Sequence, residues 1–221
     1  ASALCAPGPM TIDGNERMRQ RPIGELGDLL RRLGAKVEYL GERGCPPVRV
    51  TRPEGGLVAE AVSVPTTRSS QFVSALLLVA PFLPNGLTLR LDGAVTSASY
   101  VRMTVSLLER VGAGVRTSEG LRVIRVLPGC PALDLDVEPD ASGATYFWAA
   151  GALLPGSSVG VEGLGEGAMQ GDSGFPALLG RMGASVVVKD KPGDSAGPTT
   201  VVRGPAELGA VFADMSDMPD A

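Results

Sequence analysis

Histidine is missing altogether from these 221 residues. That removes His-based triads and His metal sites, and leaves carboxylates, Lys, Arg and hydroxyls to do any chemistry. Cysteine is scarce: Cys5, Cys45 and Cys130 are odd in number and far apart, which fits neither a disulfide framework nor a paired metal motif. Inert or buried thiols in a reducing cytoplasm are the expectation. Aromatic residues make up only 4% of the chain while apolar ones reach 44%, so the core must be built from Ala, Val and Leu. There is no basic excess. A net charge of −4 argues against a nucleic-acid surface. The longest apolar run, Phe72 to Leu83, is too short to span a bilayer. The first residues carry no charged n-region, so no signal peptide is expected. The first residues lack Met and read as the tail of a small-residue helix, which predicts a piece of a longer protein. No Gly-rich loop of the dinucleotide or P-loop kind is found.

What is there is repetition. Thirty Gly and 18 Pro call for short elements and tight connections. Met10-Thr11-Ile12 reads as a strand closing on Asp13-Gly14. A helix from Pro22 follows, with Ile23, Leu26, Leu29, Leu30 and Leu33 on one face, ending at Gly34-Ala35. Strands are predicted at Lys36–Leu40 and Val48–Val50. The middle of the chain runs in the same order. A helix over 69–81, apolar on every side, leads to the strand Leu87–Leu91 and to Asp92-Gly93. An amphipathic helix then carries Tyr100, Met103, Leu107, Leu108 and Val111 inward to Gly112-Ala113, before strands at Val115 and Leu121–Val126. The third copy has an apolar helix at Ala141–Leu154, a strand at Val159–Val161 and the closing pair Glu162-Gly163. A helix with Phe175, Leu178, Leu179 and Met182 inward then runs to Gly183-Ala184 and the strand Ser185–Val188. The acidic-Gly and Gly-Ala pairs lie about twenty residues apart in all three copies, as repeated supersecondary units require. The predicted fold is therefore α/β (α+β), built of βαβαββ units with one wholly buried and one amphipathic helix each. A doubly wound sheet needs strand–helix alternation but not this pairing of helix types.

Polar groups gather where the helices begin. Thr66, Thr67, Arg68, Ser69, Ser70 and Gln71 precede the middle apolar helix, and Asp140 and Ser142 the last one. Arg21, Ser97, Tyr100 and Gln170-Gly171-Asp172 stand before the amphipathic helices. Helix starts with hydroxyls and Arg are ingredients of a phosphate site. Plainer roles exist for each. Arg17, Arg19 and Arg21 suit a solvated face, Tyr100 falls at core spacing, and Asp140 and Asp172 suit helix caps. The tail Asp214-Met215-Ser216-Asp217-Met218-Pro219-Asp220 offers carboxylates for a hard cation or a general base. Residue chemistry by itself reaches a small-anion binder and no further.

The motifs together resemble the enolpyruvyl transferase family. Ser69-Ser70-Gln71-Phe72-Val73-Ser74-Ala75-Leu76-Leu77 carries the resemblance. So do Arg17-Met18 through Arg21-Pro22, Ser97-Ala98-Ser99-Tyr100, Val137 to Ser142, Met169 to Asp172 and Asp217-Met218-Pro219-Asp220-Ala221, all in family order. The resemblance implies a two-domain inside-out α/β prism of three βαβαββ units per domain, incomplete here. Residues 1–136 would be most of the first domain, on the shikimate 3-phosphate side, and 137–221 part of the second. It implies transfer of the enolpyruvyl group of phosphoenolpyruvate to the 5-hydroxyl of shikimate 3-phosphate with release of phosphate. No metal or organic cofactor is used, and the full-length enzyme would be a cytoplasmic monomer. On that match Ser69, Ser70, Ser97 and Tyr100 bind shikimate 3-phosphate, Gln71 touches both substrates, and Arg21 pairs with phosphoenolpyruvate. Asp220 accepts the proton, and Asp140 is a further substrate contact.

Two positions depart from the family pattern, Ser99 where Pro is common and Gly143 where a second Ser is common. The family's N-terminal Lys and Asn-Ala-Gly-Thr loop are not found in this chain. Its later Lys-Glu pair and C-terminal Arg and Lys residues are not found either, so the chain alone is expected to be inactive. The alternatives are the sister transferase acting on UDP-N-acetylglucosamine, whose reactive-Cys loop has no counterpart here, and a non-catalytic anion-binding module built from the same repeat.

Overall fold

The computed structural model describes residues 1–65, 70–93, 97–129, 132, 136–189 and 197–221. Its contacts divide the chain into two units: one of Ala1–Thr96 with Thr104–Asp134, the other of Ser97–Met103 with Leu135–Ala221. Among the described residues no helix is long and apolar enough to cross a membrane.

The first unit opens with a 3₁₀ turn at Ser2–Cys5 and β1 (Met10–Ile12). Then come α1 (Glu16–Arg19), α2 (Gly24–Arg32), β2 (Lys36–Tyr39) and β3 (Val48–Thr51). It continues through β4 (Ala61–Pro65), α3 (Ser70–Val79), β5 (Leu87–Asp92), α4 (Ala98–Arg110, counted with this unit from Thr104 on), β6 (Val115–Thr117) and β7 (Val123–Val126). From β4 to β7 this is a complete βαβαββ unit. Its sheet order is β4-β5-β7-β6. β4 and β5 are parallel, with Ala61 opposite Thr88, a pairing that requires a crossover and receives one from α3. β7 runs antiparallel to both β5 and β6. Along β5 the odd positions Leu87, Leu89 and Leu91 turn inward, meeting Ile124 and Val126 of β7 in a core that also holds Leu76 and Leu77 of α3. Thr104 Oγ1 donates to Ser74 Oγ at 2.8 Å, tying α4 to α3.

The other copies show the same order without the first strand. β1, β2 and β3 form a sheet ordered β1-β3-β2. In the second unit α5 (Ala141–Leu153), β8 (Ser158–Glu162), α6 (Phe175–Arg181), β9 (Ser185–Lys189) and β10 (Thr199–Arg203) give β8-β10-β9. Both match β5-β7-β6 strand for strand, so the repeat read from spacing is a repeat of topology. The second core gathers Ala141, Ala144, Trp148 and Ala152 of α5 with Leu164, Leu179, Ala184 and Val202. Trp148 is fully buried and its Nε1–H donates to the Thr200 carbonyl at 3.1 Å.

Several expectations need correction. The apolar helices are not buried all round. Leu78 of α3 is 44% exposed, and Tyr146, Phe147 and Leu153 of α5 are 76%, 64% and 68% exposed. Their own sheet and neighbouring helix cover one side only. Pro81 does not end a helix running to 81. The α-pattern stops at Val79, and Ala80–Phe82 tightens into a 3₁₀ turn, because Pro lacks the N–H that would continue the ladder. Leu121 belongs to a turn rather than to β7, with φ 57°. Cys5 is exposed and Cys45 buried; Cys130 lies outside the described residues. Three elements were not foreseen: the one-turn α1, β4 and β10.

Candidate functional site

In the first unit the segment before α2 is a set of short local bonds. The Asn15 side chain accepts from Met18 N at 3.0 Å and so caps α1. Arg19 grips Asp13 through Nε at 2.9 Å and Nη2 at 2.7 Å. That guanidinium holds the Asp13 carboxyl below its ordinary range, helped by the Gly14 N–H. The three arginines are thus not one uniform face: Arg19 is engaged, while the exposed Arg21 has no side-chain hydrogen bond or ion pair among the described residues. A fork-shaped cation left open is what recognition of a planar carboxylate or a phosphate calls for. Ser70 begins α3 with 5% exposure, and Gln71, beside it, is exposed. Ser69, with Thr66, Thr67 and Arg68, lies outside the described residues.

The second unit brings together residues far apart in the chain. Ser97 precedes α4 with φ 50°, the left-handed region that costs a non-Gly residue roughly 1–2 kcal/mol. Its carbonyl accepts from Tyr100 N at 3.1 Å, closing the turn that presents the phenol. The Tyr100 hydroxyl donates to Asp220 Oδ2, across 120 residues of sequence. Two residues further along α4, Arg102 Nη2 bonds Asp217 Oδ1 at 2.5 Å. Gly171 permits the close approach of the tail: a side chain there would meet Ser99 Cβ at 2.9 Å and run into the Asp217 carbonyl. Tyr100 is pushed up to about 12, first by its hydrogen bond to Asp220, then by burial and by the charges of Asp220 and Asp172. At neutral pH it is therefore a phenol that donates. The exposed Asp220 keeps its other oxygen clear of protein hydrogen bonds among the described residues. A carboxylate so held can accept a proton from a bound hydroxyl.

Beneath this pair the motifs at 137–142 and 169–172 interlock. Glu138 accepts from Met169 N at 3.1 and 3.0 Å, from Gln170 N at 3.0 Å and from Gln170 Nε2 at 3.0 Å. Gln170 Oε1 accepts from Ala141 N at 2.9 Å. The cap of α5 is therefore Gln170, not Asp140. Asp140 occupies the N-cap position without a side-chain cap bond and is exposed. Asp172 is not a cap either. It is 3% exposed and accepts from the Ser142 hydroxyl. That pairing was invisible in the sequence, because 30 residues separate two groups each plausible as a cap. Among the described residues no three acidic or thiol groups gather as metal ligands; the tail's carboxylates go instead to Ser216, Arg102 and Tyr100.

Comparison with known proteins bears on all of these residues. The family model described as EPSP synthase (3-phosphoshikimate 1-carboxyvinyltransferase) matches residues 1–221. The 3-phosphoshikimate 1-carboxyvinyltransferase of Citrobacter koseri is 39% identical over 227 residues, covering all of this chain and 50% of its own length. The chloroplastic one of Solanum lycopersicum is 39% identical over 213 residues, covering 95% of this chain and 40% of its own. The solved EPSP synthase from Acinetobacter baumannii superposes with a TM-score of 0.73 at 22% identity, over 96% of this chain and 48% of that one, so the fold is shared. The chain spans about half the length of the curated relatives it matches.

Proposed function

The chain belongs to the EPSP synthase family, and on that premise we propose that it forms part of an enzyme that moves the enolpyruvyl group of phosphoenolpyruvate to the 5-hydroxyl of shikimate 3-phosphate. The observation that carries the reading is the Tyr100–Asp220 pair. The two residues stand 120 residues apart in two family motifs, and the fold joins them into a donor-held carboxylate. In the proposed reaction the 5-hydroxyl oxygen bonds C2 of phosphoenolpyruvate, the bond from C2 to the phosphate oxygen breaks, and the hydroxyl proton passes to Asp220 before leaving with phosphate or solvent. Arg21, an open guanidinium, is assigned to phosphoenolpyruvate. Ser69, Ser70, Ser97 and Tyr100 are assigned to shikimate 3-phosphate, Gln71 to both and Asp140 to a lesser contact. The domain assignment proposed is residues 1–136 and 137–221, in a monomeric full-length enzyme of a reducing compartment.

The test is phosphate release from phosphoenolpyruvate by the full-length protein, with and without shikimate 3-phosphate. Release that depends on shikimate 3-phosphate supports the reading. Release that instead follows UDP-N-acetylglucosamine overturns it in favour of the sister activity, and none with either leaves a non-catalytic anion-binding repeat. Asp220→Ala should lower turnover while shikimate 3-phosphate still binds.

A further inference from the structure

Asp220 sits on a tail that α4 grips at two points. The first grip is the Tyr100 hydroxyl, which donates to Asp220 Oδ2. The second is Arg102 Nη2 on Asp217 Oδ1 at 2.5 Å, an ion pair whose side chains are 54% and 67% exposed. All four residues belong to the second unit, which takes Ser97–Met103 of α4 together with the tail. Residues two apart on a helix project about 200° from one another, so Tyr100 and Arg102 leave α4 on different sides. The tail they hold is turned back on itself. Met218 N donates to the Met215 carbonyl at 2.9 Å, Ala221 N to the Met218 carbonyl at 3.4 Å, and Ser216 N to Asp214 Oδ1 at 2.9 Å. At Asp217 the tail backbone also lies close against the turn at Gly171–Gly174, where a side chain on Gly171 would run into the Asp217 carbonyl. Asp217 is thus fastened both by its side chain and by the fit of its backbone, three residues ahead of the carboxylate assigned to chemistry.

We propose that Arg102 is a positioning residue for Asp220: through Asp217 it holds the tail on α4, so that the Asp220 oxygen left open by Tyr100 stays turned toward the incoming hydroxyl. A carboxylate held by one hydrogen bond can swing about it, and a second fixed point on the same short turn removes that freedom. Arg102 touches no substrate in this role. Its guanidinium is already engaged by a carboxylate, whereas the guanidinium of Arg21 is open. An exposed ion pair adds little to folding, and the importance of this one comes from its place. A grip of that strength favours the held tail over a released one by about fivefold at most. Its loss should therefore appear as a modest fall in turnover, with affinity and folding nearly unchanged.

The inference rests on the transferase reading, and its test uses the full-length enzyme with phosphoenolpyruvate and shikimate 3-phosphate. Arg102→Ala and Asp217→Asn should each lower kcat by about three- to fivefold, while KM for both substrates stays within about twofold. Both side chains are largely exposed, so the urea midpoint of each variant should move by less than about 0.5 M. The double variant should be no slower than either single one, because one contact cannot be lost twice. Exchanging the partners, Arg102→Asp with Asp217→Arg, should bring kcat back to within about twofold of wild type. Single variants that keep kcat within about 1.5-fold overturn the inference, as do losses that multiply in the double variant. A KM for either substrate that rises in Arg102→Ala and rises further in the exchanged pair also overturns it, and makes Arg102 a substrate ligand. A fall in kcat that only follows a collapse of the urea midpoint reduces the pair to a structural tie and overturns it too. In each of these cases an active wild type leaves the transferase standing. A wild type that releases no phosphate overturns the transferase reading itself.

Discussion

Trp148 and Tyr146 sit two residues apart on α5 and should respond to substitution in opposite ways. Trp148 is the chain's one tryptophan, fully buried among Ala144, Leu164, Leu179 and Val202, with its indole N–H on the Thr200 carbonyl. Truncating a buried Trp to Ala costs about 3–5 kcal/mol. Trp148→Phe keeps one ring and forfeits about half of that, near 2 kcal/mol. It also leaves the Thr200 carbonyl without its donor, for about another 1 kcal/mol. The sum, about 3 kcal/mol, is a large share of a small domain's stability. With a urea m-value of about 2 kcal/mol/M the midpoint should fall by about 1.5 M. Tyr146 is 76% exposed, and Tyr146→Ala in the 221-residue chain should stay within about 0.5 kcal/mol. Far-UV circular dichroism in urea reads both variants without relying on the tryptophan signal. Equal shifts for the two, or a Trp148→Phe midpoint within about 0.3 M of wild type, would refute the one-sided packing of α5.

Alkaline stability offers a check on the phenol. Tyr100 is raised from 10.0 to about 12 in the folded protein, so between those values the folded state holds a proton that the unfolded state has lost. The stability it contributes is complete below pH 10 and disappears as pH climbs toward 12, and Tyr100→Phe should remove that part of the decline in a pH series of urea midpoints. Arg21→Ala in the full-length enzyme should weaken phosphoenolpyruvate by at least about tenfold and shikimate 3-phosphate much less, measured by binding calorimetry; equal loss of both would take Arg21 off phosphoenolpyruvate. Ser97→Gly relieves a left-handed backbone and should raise stability by up to about 1 kcal/mol, while deleting a hydroxyl assigned to shikimate 3-phosphate. A variant both less stable and as tightly binding as wild type would contradict both statements.

Much of the fold could be read because the repeat is written in residues with strong local preferences. The pairs Gly34-Ala35, Gly112-Ala113 and Gly183-Ala184 end helices at glycines with φ of 96°, 81° and 107°, a left-handed exit that glycine takes most readily. Boundaries were lost where local chemistry overrode the pattern. Asn15 capped a one-turn helix inside a charged stretch, and Leu121 fell into a turn beside Gly120. β4 escaped notice because its alternating Val62 and Val64 are too few to stand out before the polar run that follows. The misjudged burial of α3 and α5 has a different origin. Hydropathy tells how many faces of a helix are apolar, not how many neighbours a given stretch of chain supplies. In α5, six residues are covered by α6 and the sheet of β8, β9 and β10, while Tyr146, Phe147 and Leu153 are not.

The candidate site was legible to the extent that its residues carry identity, and illegible where they carry geometry. Arg21, Ser70, Gln71, Ser97, Tyr100, Asp140 and Asp220 are each singled out by residue type and motif. Asp140 and Asp172 then exchanged the weight a sequence would give them. The one at the helix N-cap makes no cap bond, and the one thirty residues away reaches the helix's first turn through Ser142. Gln170 explains how: with its amide spent on Glu138, Pro139 and Ala141, the turn that follows is fastened against α5, and Asp172 is carried inward. Substituting Gln170 should therefore disturb the turn that carries Asp172 as well as the α5 cap. Gln170→Ala is expected to lower stability by about 1–2 kcal/mol through the lost cap, read as a shift of the urea midpoint, whereas Asp140→Ala should leave the cap intact. If Asp140→Ala destabilised α5 as much as Gln170→Ala, the cap would belong to Asp140 after all, and the turn at Gly171–Gly174 would lose its anchor to α5.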